Sequence, residues 1–523
     1  MGKVLVALVC AACAFELTRA WQFREAVRRI GNQRGLRYLL DSVGFLSFFF
    51  PWRIRFVSPG RAALLLRQYQ DFKKHDCDII TSVSVLPTVH TSFYVADPEA
   101  MKTITANRML FPKPTDRYAA FLLYGPNIVS SEGDEWKRFR KVCGPSFSER
   151  NNQQVWNESV RIAEEMFEDR WNSPVVNIDD VLDVTSSISL FVISAASFGK
   201  SLSWRKADNE CPPGYKMTFR DVIRIMSEGG VAIKMITPDW LLKLGPTQTL
   251  REAHTAFREL KGYMLDMIAE RRAAETKEIQ DDLFSNLLAA NEEEEGLQKL
   301  SDDELVGNVW IMLIAGHATT GALLFFALAL LAIHQDEQAA LYDEIREVLA
   351  EGESPKYSDI SRYTRAQAVL YETLRTYSSV QGVFKTAVED TVLTTHNCAG
   401  DPVNMSIPKG SEILVNILAM HYHPRYWGDP QIWRPARFLE KDWPRDALMA
   451  FSSGARACIG RRFAEVEAIA VLVMIISRYE VHVKGDPKYE HESPRAREQR
   501  ILRPPLKLSF KLPPVPLVFK RRY

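Results

Sequence analysis

No sign of charge dominates this chain. Its 66 basic and 65 acidic residues leave a formal net charge of +1 over 523 residues. That balance argues against a protein that wraps nucleic acid electrostatically, although it leaves room for a local basic patch. Cysteine is scarce and odd in number, with seven residues. They are too few and too scattered for a disulfide framework, and suit reduced thiols facing the cytosol. No HExxH run is present, and the cysteine spacing suggests no zinc site. Low-complexity tracts and internal repeats are missing too. At 46% hydrophobic and 25% charged, the composition is that of a folded globular protein, long enough for one large core or several smaller ones.

Charge is also absent from particular stretches. Val4 to Phe15 is an uncharged apolar run of 12 residues, too short to span a bilayer alone. A second apolar cluster, Val43 to Phe50, ends at Pro51 and follows Arg24, Arg28, Arg29, Arg34 and Arg37. Together they predict a membrane anchor with interfacial segments over residues 1–50, ahead of one catalytic domain at 51–523. A cleaved signal peptide is the competing reading. The longest such stretch, Val309 to Ile333, has 25 residues without Asp, Glu, Lys or Arg. Acidic residues flank both of its ends, Ser301 and Glu304 form a capping box, and a polar patch (Gly316 to Gly321) interrupts its middle. A buried central helix is expected, with small residues that let something large approach its backbone.

Elsewhere, Trp52 to Val57 reads as a strand and Ile79 to Val95 as a hairpin. Asp97-Pro98-Glu99 reads as a helix start, and mostly helical text follows to about residue 375, broken at Pro145, Pro174, Pro212-Pro213 and Pro238. The acidic run Glu292 to Glu295, before Gly296, reads as a solvated loop. From Thr391 the text turns β-rich, then Pro-rich from Pro408 to Pro444. One helix follows Cys458, and strands are expected at Tyr479 to Val483 and Leu506 to Phe510. The fold class is therefore mainly α with small β-sheets.

The run with most chemical content is Phe451-Ser-Ser-Gly454-Ala-Arg456-Ala-Cys458-Ile-Gly460. A lone cysteine is usually an inert core residue. Four other residues of particular type at fixed offsets around one of seven cysteines arise by chance roughly once in ten thousand. A thiolate ligand is favoured by positive charge, backbone N–H donors and a following helix N-terminus. Glycines let the loop come close to the sulfur and its partner.

This run resembles the haem-binding loop of cytochromes P450, FxxGxRxCxG, with every fixed position present. Glu372-Thr-Leu-Arg375 matches ExxR, Pro435-Ala436-Arg437-Phe438 matches the PERF segment with Ala436 for the usual glutamate, and Trp136-Lys-Arg-Phe-Arg140 matches WxxxR. The resemblance implies a single large domain with a long helix over haem b. It implies Cys458 as axial ligand, Phe451 beside the thiolate, Gly454 and Gly460 shaping the loop, and Arg456, Trp136, Arg140 and Lys385 on the propionates. It implies a buried triad of Glu372, Arg375 and Arg437. The family's central helix commonly reads AGx(D/E)T(T/S), whereas this chain has Ala315-Gly316-His317-Ala318-Thr319-Thr320. Thr319 is the residue expected to hydrogen-bond dioxygen. The acid beside it is replaced by Ala318, so protons must come through water, a substrate hydroxyl or another side chain, His317 being one candidate.

The resemblance further implies O2 and a lipophilic small molecule as substrates, no nucleic acid, and a separate NADPH-cytochrome P450 reductase, since no flavin or nicotinamide motif is present. Lys137, Arg138, Lys141, Arg461 and Arg462 would form the docking patch for it. Tyr118 to Ser131 and Ser378 to Phe384 would face the pocket. The sequence looks like fungal microsomal members, which implies a cytosolic catalytic domain on the endoplasmic reticulum membrane and a terpenoid or polyketide substrate. Competing readings are a haem-thiolate isomerase, dehydratase or peroxide-using enzyme, and a non-catalytic haem-binding protein.

Overall fold

The uncharged stretch becomes the middle of a 32-residue helix, Asp302–Ile333. The computed structural model describes the chain apart from residues 1, 42–52, 61–66, 201, 206–210, 274–282, 294–298, 351, 490, 503–511 and 523. The capping box forms: the Glu304 N–H donates to Ser301 Oγ at 3.4 Å, and the Ser301 N–H donates to Glu304 Oε2 at 2.8 Å. Three acids in the first turn complement the helix dipole. Among the described residues, this helix and Val181–Phe198 are apolar and long enough to cross a membrane, but their most apolar windows are 61% and 78% buried. They pack on each other in the core. The contact is close because a Cβ on Gly316 would lie 2.2 Å from Ile193 Cδ1, and one on Gly321 would lie 3.0 Å from Ser186 Cα. At these two glycines the close neighbour is the helix Val181–Phe198.

A five-stranded sheet lies toward the N-terminus, in the order β1 (Gly35–Leu40), β2 (Ile79–Leu86), β3 (His90–Val95), β8 (Glu412–Asn416) and β5 (Gly382–Thr386). The β2–β3 hairpin is as expected. Strand β1 pairs in parallel with β2, Gly35 opposite Thr81, so the folded body reaches upstream of residue 51. The N-terminal helix Gly2–Arg29 docks on the hairpin, where Arg19 donates to the carbonyls of Val85 and Pro87 at 3.1 and 2.7 Å. Strands β6 (Thr391–His396) and β7 (Pro402–Ile407) pair separately. Strands β4 (Val175–Ile178), β10 (Leu517–Arg521) and β9 (Tyr479–Val483) form a third sheet.

Trp52 to Val57 is not a strand in its described part: Ile54 and Ser58 make an isolated bridge around a tight turn. Glu292 and Glu293 end the helix Leu283–Glu293 instead of lying in a loop. Val43 to Pro51, Leu506 to Phe510 and the rest of the acidic run lie outside the described residues. Asp97 caps the helix Pro98–Ala106 as expected, accepting from the Glu99 and Ala100 N–H groups. All seven cysteines are free. Cys10 and Cys13 do share a CxxC spacing, but both are exposed on the N-terminal helix.

The triad forms, and it is sealed. Glu372 and Arg375, on the helix Thr364–Thr376, have no exposed side-chain surface and join through two hydrogen bonds of 2.7 and 2.8 Å. Arg437 Nε adds a third at 3.1 Å, and the Arg434 N–H a fourth at 2.8 Å. The guanidiniums also donate to the carbonyls of His421, Gly428, Pro430 and Ile432. Ala436, in place of the usual glutamate, leaves this network intact. Removing one partner from such a cluster strands an uncompensated buried charge, at a cost of about 3–5 kcal/mol. Glu372→Ala, which strands two cations, is expected to lower the unfolding midpoint by more than Arg437→Ala. Equal shifts, each worth less than about 1 kcal/mol, would show that the cluster is not the clamp.

The helix Arg461–Arg478 carries a second buried acid, Glu467, with Ser189 of the helix Val181–Phe198 beside it. Burial pushes its pKa up to about 8, so the folded state keeps a proton that the unfolded chain releases above its ordinary value of 4.5. Stability therefore falls as pH rises between those two values. Glu467→Gln is expected to remove this slope and to be more stable than the parent at neutral pH by roughly 2–3 kcal/mol. Unfolding midpoints at mildly acidic and mildly alkaline pH check it, and parallel pH profiles for the two proteins would contradict it.

Candidate active site

The loop that carries Cys458 is pinned before and after the cysteine to one helix, Thr364–Thr376. Before it, the His421 imidazole donates from Nδ1 to the Arg375 carbonyl at 3.1 Å and accepts the Met449 N–H at Nε2 at 2.9 Å. After it, Arg461 donates to the Tyr371 hydroxyl at 3.1 Å and to Glu465 at 2.8 Å. Between these points the Cys458 N–H returns to the Phe451 carbonyl at 2.9 Å, closing the loop. Gly454 sits at φ +68°, which only glycine adopts without strain, while a Cβ there would touch Thr105 at no less than 3.4 Å. Its role is conformational. Gly460 caps the next helix and presents its N–H to the Cys458 sulfur.

Cys458 is accessible, yet protein crowds it closely enough for burial to push the thiol pKa up. Both facts hold for a side chain that fronts an internal space. The Gly460 N–H, Arg140 and Arg461 pull the other way without prevailing. A bound metal cation would favour the thiolate against that burial.

Nearby lies a cluster of cations. Arg456 stacks over the Trp136 ring at 4.2 Å, with Arg108 over the same ring at 4.9 Å. Arg456 pairs with Glu132 at 2.8 Å and donates to the Ser131 carbonyl at 2.9 Å, while its buried Nε has no partner. Buried Lys385, on β5, feels Arg456, Arg108 and Glu132. Lys113 donates to the Val129 carbonyl at 2.6 Å, and burial with repulsion from Arg456 and Lys385 lowers its pKa to about 7. Glu132 is the carboxylate set among these cations. A surplus of partly buried positive charge suits a ligand with two carboxylates, and haem b with its two propionates fits that demand. Trp136, Arg456 and Lys385 are thus brought together as the sequence suggested. Arg140 sits where its charge is felt at Cys458 and Cys143. The sequence reading missed Lys113 and Arg108, because a lysine and an arginine in unremarkable text carry no local signal.

Beyond its first turn the central helix is buried except at Ile314, Ala315, Gly316, Ala318, Thr319, Ala322 and Phe326, among which Ala315, Ala318, Thr319 and Ala322 form a stripe at helical spacing. Part of that stripe lines a cavity of about 1520 Å³, together with Ser378, Ser379 and Gln381. The Thr319 hydroxyl donates to the Ala315 carbonyl at 2.6 Å, and Ser379 Oγ donates to the Thr319 carbonyl at 3.3 Å. His317 is turned away from Thr319, toward Ser227, 3.4 Å from its Nδ1. Burial lowers its pKa to about 4, so the imidazole is neutral at neutral pH and is no acid donor there. Residues 118–131 pack elsewhere than along this cavity. Ile128 donates to Asn308 Oδ1 of the central helix at 3.0 Å, and Arg456 reaches the same loop.

The basic residues near Trp136 and Cys458 are partly neutralised. Arg138 is withdrawn into an ion pair with Glu304, Lys137 pairs with Asp134 at 2.7 Å, and Arg461 and Arg462 share Glu465. Lys137, Arg461 and Arg462 still keep much of their surface exposed.

A family model described as Cytochrome P450 matches residues 67–512. The chain is 44% identical, over the full length of both, to Cytochrome P450 monooxygenase 124 of Postia placenta. It is 30% identical to Cytochrome P450 monooxygenase ORF6 of Penicillium roqueforti, over 74% of this chain and 73% of that one. The crystal structure of the cytochrome P450DA heme domain shares the fold with a TM-score of 0.70, at 24% identity, covering 89% of this chain and 94% of the other. With the cysteine loop, the sealed triad and the small-residue stripe all in place, the chain belongs to the cytochrome P450 family and is a monooxygenase of the oxidoreductase class.

Proposed function

We propose that the protein inserts one oxygen atom of O2 into a lipophilic small molecule of the terpenoid or polyketide kind. Electrons come from NADPH through a separate NADPH-cytochrome P450 reductase. The observation that carries this reading is the accessible Cys458 thiol on a loop that also contributes Arg456 to a partly buried surplus of cations. When bound, thiolate-ligated haem supplies the reductive activation of dioxygen, a general property of this family. Cys458 provides the ligand, with Phe451 beside it and Gly454 and Gly460 setting the loop. Trp136, Arg456 and Lys385, joined by Lys113 and Arg108, hold the propionates, and Arg140 adds positive charge at the sulfur.

Thr319 gives its proton to Ala315 and turns its lone pairs to the cavity. It therefore accepts a hydrogen bond from water or from a substrate hydroxyl, and so holds a proton donor where Ala318 supplies none. His317, neutral, serves as polar wall. The isomerase or dehydratase alternative rests on Ala318 alone, and oxygen and NADPH consumed in step with product separate it from the monooxygenase.

Membrane association is supported by apolar side chains left exposed. Phe15, Leu17 and Trp21 project from the N-terminal helix, and Met235, Ile236, Trp240 and Leu244 from the short helices that follow residue 230. An endoplasmic-reticulum anchor with a cytosolic catalytic domain accommodates both groups. The exposed Lys137, Arg461 and Arg462 offer the reductase a reduced basic patch.

The absorption spectrum of the reduced, carbon-monoxide-bound protein tests the assignment. A strongly red-shifted Soret band is expected for the parent and should vanish in Cys458→Ala. An unaltered band in that variant would refute the ligand. For Thr319→Ala, NADPH oxidation is expected to continue while product per NADPH falls about tenfold or more. Unchanged coupling would remove Thr319 from proton delivery.

A further inference from the structure

The cavity along Ala318, Thr319 and Ala322 extends to a group that the proposed chemistry leaves unused, Arg220 on the helix Phe219–Ile225. Its guanidinium is half-buried, lies 5.4 Å from the Phe191 ring and donates a hydrogen bond of 2.9 Å to Ser187 Oγ. Ser187 gives its own proton to the Asp183 carbonyl at 2.7 Å, so toward Arg220 it only accepts. Among the described residues no carboxylate forms an ion pair with Arg220. The two nearest acids along its own helix and the turn after it, Asp221 and Glu228, reach Arg224 at 3.5 and 3.7 Å. Asp183, the acid facing Arg220 from the opposite helix, is exposed and has the weakest of the named influences on it. Burial, with repulsion from Arg170 and Arg224, holds the Arg220 pKa below the usual guanidinium value against the opposing pull of Asp221 and Asp183. A cation in that position, with most of its donors unused and open space before it, is set to take an anion in forked geometry.

We infer that Arg220 anchors the substrate and that the substrate is a lipophilic carboxylic acid, its carboxylate on the guanidinium and its hydrocarbon body lying toward Ala318, Thr319 and Ala322. This rests on the monooxygenase reading and narrows it. Leu190 and Phe326 supply apolar wall for the body. The volume of about 1520 Å³ accommodates a polycyclic terpenoid acid. The arrangement makes Arg220 a specificity residue and leaves the chemistry to the cysteine loop and the central helix. A purely structural Arg220, stapling its helix to Phe191 and Ser187, would predict no preference for charge in the ligand.

The test is calorimetric binding of abietic acid and of its methyl ester to the haem-loaded full-length protein, its Arg220→Ala and its Arg220→Lys. The same samples are checked first for the red-shifted carbon-monoxide band. The parent is expected to bind the acid tighter than the ester by about tenfold or more. Arg220→Ala should lose that preference while holding the ester unchanged, and Arg220→Lys should recover part of it. No preference in the parent, a preference that survives in Arg220→Ala, or equal loss of acid and ester in that variant would each overturn the anchor. So would a thiolate-competent parent that binds neither compound. Absence of the red-shifted band would instead overturn the monooxygenase reading on which the anchor rests.

Discussion

Glu372, shared between Arg375 and Arg437 without access to water, is the interaction on which the rest of this structure leans. Two guanidiniums and one carboxylate are costly to bury, and the cost is offset by further bonds from both guanidiniums to backbone carbonyls. Those carbonyls, at His421, Gly428, Pro430 and Ile432, belong to a stretch with little regular structure of its own. Their order is imposed by the charges. His421 then passes it forward, one imidazole nitrogen on the Arg375 carbonyl and the other on the Met449 N–H. The cysteine loop begins two residues later. A long, Pro-rich segment is thereby made rigid enough to present one sulfur in one place.

Charge also organises the opposite side of the site, by excess and not by balance. Arg108, Lys113, Lys385 and Arg456 gather near Glu132, and Lys113 is depressed by burial first and by repulsion from Arg456 and Lys385 second. Such clustering is unfavourable for the chain alone and favourable once two carboxylates enter. At the cysteine the surrounding protein raises the thiol pKa although the side chain is accessible, and a metal cation would work in the opposite direction.

Much of this was legible in the sequence because the chemistry is local there. The ten residues from Phe451 to Gly460, the i,i+3 pair Glu372 and Arg375, and the Trp136 to Arg140 turn each sit within one short run. The central helix declared its start through Ser301 and Glu304 and its burial through missing charge. What stayed hidden depends on distant segments. Lys113, Arg108 and Arg220 acquire meaning only through partners far along the chain. Strand β1 was obscured by its place inside a segment read as interfacial, although its pairing with β2 is what admits it to the sheet. Gly316 and Gly321 were correctly seen as making room, but the sequence could not say for what, and the occupant is the helix Val181–Phe198.

That last contact divides the pocket into parts that can and cannot change over generations. A side chain at Gly321 would meet the Ser186 backbone, and one at Gly316 the tip of the Ile193 side chain, so this contact leaves little room for larger residues. The rest of the cavity lining, with Arg220, Ser227 and the segment Ser378 to Gln381, lies outside that contact and bears no comparable restriction. New substrates in this lineage would be acquired by rewriting that side, with the central helix as the fixed datum against which each novel molecule is fitted.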